Sequence, residues 1–180
     1  MVVSQSDIEW RYSTTSGSEG DSETGSAGGS LGQWMSTTTI PDASLENLFP
    51  NVSAAENASG ITRYRCVFVT NTGTGTWSDV RVFIDSQESD GASVSIGLDP
   101  AGVVASDSGT DQAEEISDGQ TEPSGVSWSQ PPDYDGGLQV GTVDGGQCFA
   151  FWLRQLVAPN TPATVGDNVH IDVRGITGAS

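Results

Sequence analysis

The chain holds two cysteines and one histidine, so thiol and imidazole chemistry have few places to sit. His170 lies in Val169-His-Ile-Asp-Val-Arg174, where apolar and polar residues alternate. In a strand, that pattern turns His170, Asp172 and Arg174 to solvent. A Ser-His-Asp or Cys-His device needs its imidazole within reach of a nucleophile, and an outward ring on a polar face is poorly placed for that. There is no His-Glu-x-x-His stretch and no glycine-rich phosphate loop with its lysine. Paired carboxylates can serve glycoside hydrolysis, but with Asp+Glu at 24 any two would qualify, and a solvated acidic surface is the simpler account.

Cys66 and Cys148 sit in the two most apolar stretches, Arg63 to Thr70 and Cys148 to Leu156. An immunoglobulin sandwich bridges two such strands. The alternative is two buried free thiols acting as small hydrophobes, and without a secretory signal that is the expectation. Two thiols and one outward imidazole are too few for a zinc site. The clusters Asp107, Asp111, Glu114, Glu115 and Asp133, Asp135 offer oxygens to Ca²⁺, without the EF-hand spacing. Diffuse counter-ions are expected there instead. Asn51-Val-Ser and Asn57-Ala-Ser fit the glycosylation triplet, a common occurrence in a serine-rich chain. No catalytic, cofactor-binding or metal-binding residue is assigned, no cofactor is expected, and the chain is not read as an enzyme.

Lys+Arg total 6, all of them Arg, and the net charge is -18. Nucleic acid and anionic membranes would be repelled, so neither is expected as a partner. An acidic, lysine-free skin suits a salty medium, where the screening length falls to ~3 Å at 1 M; a GC-rich marine genome would also account for the missing Lys. No apolar run reaches transmembrane length. The opening Met-Val-Val-Ser-Gln-Ser-Asp lacks the cationic and apolar regions of a secretory signal.

The elements that would position these residues fall into two zones. Residues 1–30 are expected to form an extended Ser/Gly-rich arm, with 13–30 flexible because almost nothing in it is apolar. Ile8, Trp10 and Tyr12 alternate in it and are the candidate assembly anchor, a strand that would add to a neighbour's sheet edge. Residues 31–180 are expected to be one β-sandwich, immunoglobulin-like or jelly-roll, with less than a tenth of the chain helical. Asp42 to Phe49 is the one helical prospect, capped by Asp42. Strands are expected around Arg63–Thr70, Val80–Ile84, Val94–Leu98, Val126–Trp128, Leu138–Val140, Cys148–Leu156 and Val169–Val173, with Asp99-Pro-Ala-Gly as a breaker and 105–125 as a polar loop.

Five stretches, in this order along the chain, carry a further pattern. These are Leu48-Phe-Pro-Asn-Val-Ser-Ala-Ala-Glu-Asn-Ala-Ser-Gly-Ile-Thr-Arg-Tyr-Arg-Cys-Val-Phe-Val-Thr-Asn71, Ile96-Gly-Leu-Asp-Pro-Ala-Gly102, Gly125-Val-Ser-Trp128, Gly146-Gln-Cys-Phe-Ala-Phe-Trp-Leu-Arg154 and Gly166-Asp-Asn-Val-His-Ile-Asp-Val-Arg-Gly175. Over residues 45–175 the chain resembles uncharacterised virion structural proteins built on an immunoglobulin-like sandwich. The resemblance implies a virion location and a structural component of a tailed virus particle, chiefly an accessory capsid protein (decoration or cement). The partners implied are other virion proteins, such as the major capsid or tail proteins, and copies of itself. A tail, neck, baseplate or fibre position is the alternative. A carbohydrate-binding module, with Trp77, Trp128 or Tyr134 stacking on sugars, is a third reading.

Overall fold

The two most apolar stretches form the centre of one sheet, and each of their faces has a different cover. The computed structural model describes residues 2–17, 20, 22–42, 44–88, 90–162 and 167–177. Its strands are β1 (Ile8–Thr14), β2 (Trp34–Thr39), β3 (Ile61–Asn71), β4 (Trp77–Gln87), β5 (Ser93–Ala105), β6 (Leu138–Val143), β7 (Gln147–Val157) and β8 (Val169–Thr177), with one short helix, α1 (Ala54–Ser59). They form two antiparallel sheets, a five-stranded one in the order β2-β1-β3-β7-β5 and a three-stranded one in the order β6-β4-β8. The fold is an all-β sandwich.

β3 and β7 pair without a slip from Ile61↔Val157 to Asn71↔Gln147. Side chains alternate across this ladder. Val67, Val69, Phe149, Phe151 and Leu153 face the three-stranded sheet and meet Val80, Val82, Ile84 and Val143. Tyr64, Cys66, Phe68, Cys148, Ala150 and Trp152 face the other way, where Met35, Ala113, Ile116, Val126 and Trp128 cover them. The polar loop 105–125 therefore folds back as a lid, and its buried Ala113 and Ile116 are part of the second core. On the outer face of the three-stranded sheet the buried Phe83 lies under the Arg174 guanidinium, 5.0 Å from its ring. The same face carries Arg81, His170, Asp172 and Arg174.

From β3 onward, no two successive strands share a sheet. An immunoglobulin domain keeps several successive pairs within one sheet, so the connections here differ from that pattern. Two of the four sheet edges, β2 and β5, are hydrogen-bonded to other segments. On β2, Thr37 N–H donates to Glu23 O at 2.8 Å. On β5, Ile96 and Ser129 exchange two hydrogen bonds of 2.9 Å, and Gln130 Nε2 donates to Val94 O. β6 is short, and Gly141 within it has φ 105. The edge of β8 is uncovered.

Four expectations need correction, the first being the strand at Val126–Trp128, where only an isolated bridge from Ser129 to Ile96 forms. Residues 8–14 are not an arm: β1 lies inside the five-stranded sheet between β2 and β3. The pairs Trp10↔Val69 and Tyr12↔Val67 put its alternating apolar side onto the shared core, so its anchor is its own domain. Residues 1, 18, 19 and 21 of the expected arm lie outside the described residues. The helix is at Ala54–Ser59, whereas Asp42 and 44–49 are turns and bends, with residue 43 outside the described residues. Ser53 and Glu56 form a capping box at the start of α1, which decides its position. Finally, Asp99-Pro-Ala-Gly102 does not end its strand: the register jumps from Leu98↔Phe151 to Val103↔Phe149 and pairing resumes. An edge strand tolerates proline at such a bulge.

Candidate functional site

Ile8, Trp10 and Tyr12 are brought together on one face of β1, as their spacing predicts. The Trp10 ring meets Phe151 edge-on, with centroids 5.6 Å apart. Tyr12 Oη donates to the Asn47 carbonyl at 2.7 Å, and burial raises its pKa. All three are therefore occupied within the domain. The Ser/Gly segment behind them is stitched down as well. Ser13 N–H donates to Ser30 Oγ at 2.8 Å, Ser30 Oγ donates to the Cys66 carbonyl at 2.8 Å, and Gly32 N–H donates to Ser13 Oγ at 2.8 Å.

Gly28-Gly-Ser30-Leu-Gly32 has the Gly-x-Ser-x-Gly spacing of a nucleophile elbow, a motif absent from the candidates above. Such an elbow exposes its Ser Oγ on a tight strand-to-helix turn. Ser30 is instead fully buried, bonded to backbone, and followed by a strand. Its role is to extend the pairing along β3 beyond the end of β1, with Cys66 N–H donating to Ser30 O at 2.9 Å.

Neither thiol is in a disulfide, and both are buried. Both lie in the five-stranded sheet, Cys66 opposite Trp152 and Cys148 opposite Thr70. Four residues of offset at ~3.3 Å each exceed the ~7 Å that a disulfide spans. Burial pushes the Cys66 thiol well up, so it is an inert packing group. His170 stands outward as expected, its Nδ1 3.6 Å from Asp85 Oδ2 with both side chains largely exposed. Among the described residues, no group of three His, Cys, Asp or Glu side chains is placed to hold a metal ion.

The carboxylates with defined work are structural. Asp99 is buried; its Oδ2 accepts from Trp152 Nε1 at 2.8 Å and from Glu114 N–H at 3.0 Å, and its Oδ1 accepts from Ala101 N–H at 2.9 Å. It ties the lid to the sheet. Asp79 sits at φ 48 in a bulge of β4, where it accepts from Tyr134 Oη at 3.0 Å and Arg81 Nε at 3.2 Å. Those two bonds hold its carboxyl below the usual range. Glu56 is bonded to the Ser53 backbone and side chain and to Arg63, which bring its carboxyl down to about 2. Arg63 in turn donates to the Pro50 carbonyl at 2.9 Å, closing the end of the sandwich.

The aromatics proposed for sugar stacking are engaged too. Trp77 is buried. Trp128 lies between Tyr64 and the Arg154 guanidinium, and its Nε1 donates to Glu122 at 2.7 Å. Tyr134 carries the Arg81 guanidinium 5.0 Å over its ring. An open depression of about 630 Å³ lies at the α1 end and is lined by Leu45, Phe49, Val52, Asn57, Val157 and Asp167 among others. Its lining also carries Glu46, Asn51, Gln155 and Thr161, and Leu45 at its rim is almost wholly exposed.

Comparison with known proteins returns nothing: no family model matches the chain, and no curated protein or solved structure is similar to it.

Proposed function

We propose that this chain is a structural component of a tailed virus particle, an accessory capsid protein acting through protein–protein contacts. The observation behind the reading is where the phage-like stretches fall. They make up the shared core strands, the buried Asp99 clasp and the strand with the open edge. These parts build a rigid body and its rim. Two covers over one sheet and a hydrogen-bonded Ser/Gly segment suit a protein that keeps its shape on a lattice. The occupied Trp128 and Tyr134 favour this reading over a sugar-binding module. The strand-swapping arm drops out of the proposal, since β1 has its partner within the chain.

Quantitative gel electrophoresis of purified particles tests the reading. Copies in simple proportion to the major capsid protein support the capsid role, a dozen or fewer per particle move it to the tail or neck, and absence from particles ends it. The salty medium is a separate part of the proposal. With a net charge of -18, the melting temperature should rise between ~0.1 M and ~2 M NaCl as screening relaxes carboxylate repulsion. A flat or falling midpoint would count against adaptation to salt.

A further inference from the structure

Natural sheets blunt their edges because a row of free N–H and C=O groups invites another strand. Here β2 and β5 are covered and β6 is short and irregularly paired, whereas, among the described residues, β8 runs nine residues with β4 as its only strand partner. Among the described residues, no hydrogen bond covers the backbone of 169–177 on its free side. Its outward face carries His170, Asp172, Arg174 and Ile176, with Ile176 58% exposed.

We propose that β8 is the contact by which two copies of this chain pair, antiparallel, about a two-fold axis through Val173. The strand is self-complementary in that register. Asp172 falls opposite Arg174 of the second copy, and Arg174 opposite its Asp172. Val173 meets Val173, Ile171 meets Gly175, Val169 meets Thr177, and the exposed Ile176 meets His170. All nine residues find partners. An axis through Asp172 or Arg174 would set like charges face to face, which antiparallel sheets disfavour. Such a contact is isologous and closes at two copies. It joins the two three-stranded sheets into one continuous sheet and leaves each five-stranded sheet with its lid outside. Because each copy carries -18, pairing should tighten as salt screens the two bodies from each other. The inference does not depend on the virion reading, since it concerns the free protein in solution.

The test is the mass of the full chain by light scattering across a concentration series in ~2 M NaCl. A monomer–dimer equilibrium is expected. Arg174→Asp should weaken it by about ten-fold or more, because both symmetry-related pairs become acid against acid. Asp172→Arg combined with Arg174→Asp in one chain should bring the Kd back to near the original. Circular dichroism melts confirm that each variant is folded. If Arg174→Asp fails to fold, Val173→Cys supplies the second readout: on oxidation it should cross-link to itself on a non-reducing gel, while His170→Cys should not. A chain that stays monomeric overturns the proposal. So does a dimer indifferent to Arg174→Asp, a double swap that does not restore pairing, or equal cross-linking from both cysteine variants.

Discussion

The five-stranded and three-stranded sheets share one core but are finished differently. The larger sheet is covered on both faces and obstructed at both edges, by the other sheet, the 105–129 lid and the Ser/Gly segment. The smaller sheet packs one face on the shared core, covers Phe83 on the other with charged side chains such as Arg174, and ends, among the described residues, in an unpaired strand edge. Stability is thus concentrated in one layer and accessibility in the other. A body built this way can expose a rim without risking its centre.

Removing residues 1–14 strikes the larger sheet hardest. It takes away β1, opens the side of β3 and strips Val67 and Val69 of the Trp10 and Tyr12 pairs. No cooperative unfolding transition should remain by circular dichroism; a soluble, cooperatively melting product would mean that β1 is dispensable. Next in size is Trp152→Ala, expected to lower stability by about 3–5 kcal/mol in urea denaturation, since a fully buried indole leaves a cavity beneath the lid. Trp152→Phe separates packing from hydrogen bonding. It leaves buried Asp99 one donor short and should lower stability by about 1–3 kcal/mol. A neutral Trp152→Phe would show that the clasp is not needed.

A smaller effect belongs to Glu56, which closes the α1 end over Arg63. Its folded-state pKa, about 2, lies below the ordinary 4.5. Its contribution is therefore complete above pH ~4.5 and is lost as pH falls through about 2. Comparing Glu56→Gln with the parent chain at pH 6 and pH 2 checks this, and the gap between them should narrow at the lower pH. Smallest of all is His170→Ser on the bare face of β8, which should change stability by no more than about 0.5 kcal/mol. A large loss there would erase the contrast between the two layers.

Much of this architecture is legible in the residues. The period-two stretches gave the strands, and the doubly apolar β3 and β7 announced a sheet with two covers. The error over the first 30 residues has a physical origin. Serine and glycine read as tether because they bury little apolar surface, yet here they are chosen for thinness. A Cβ on Gly32, at φ +97, would come 1.7 Å from the Glu114 carbonyl, and one on Gly25 would come 2.4 Å from Ser36 Oγ. Composition reports what a segment lacks, whereas close approach depends on a neighbour more than 80 residues away. Asp99 was misjudged for a related reason: its breaker context Asp-Pro-Ala-Gly is local, and its partner Trp152 is not. The Ser53–Glu56 capping box was visible in the letters and outweighs the weaker Asp42 start. Among the interaction surfaces, the alternation of β8 was legible, but its bare edge was not, because an edge is defined by which strands end up elsewhere.

The alternation of successive strands between sheets governs the order in which the molecule can be made. β3 has no permanent neighbour on its β7 side until residues 147–157 have been synthesised, and β5 waits for the same strand. Closing such long loops is entropically slow, so folding is expected in the slow range of all-β domains and largely after synthesis ends. Until then the apolar ladder of β3 is open to any passing strand. The acidic charge spread along the growing chain repels such half-made copies from one another.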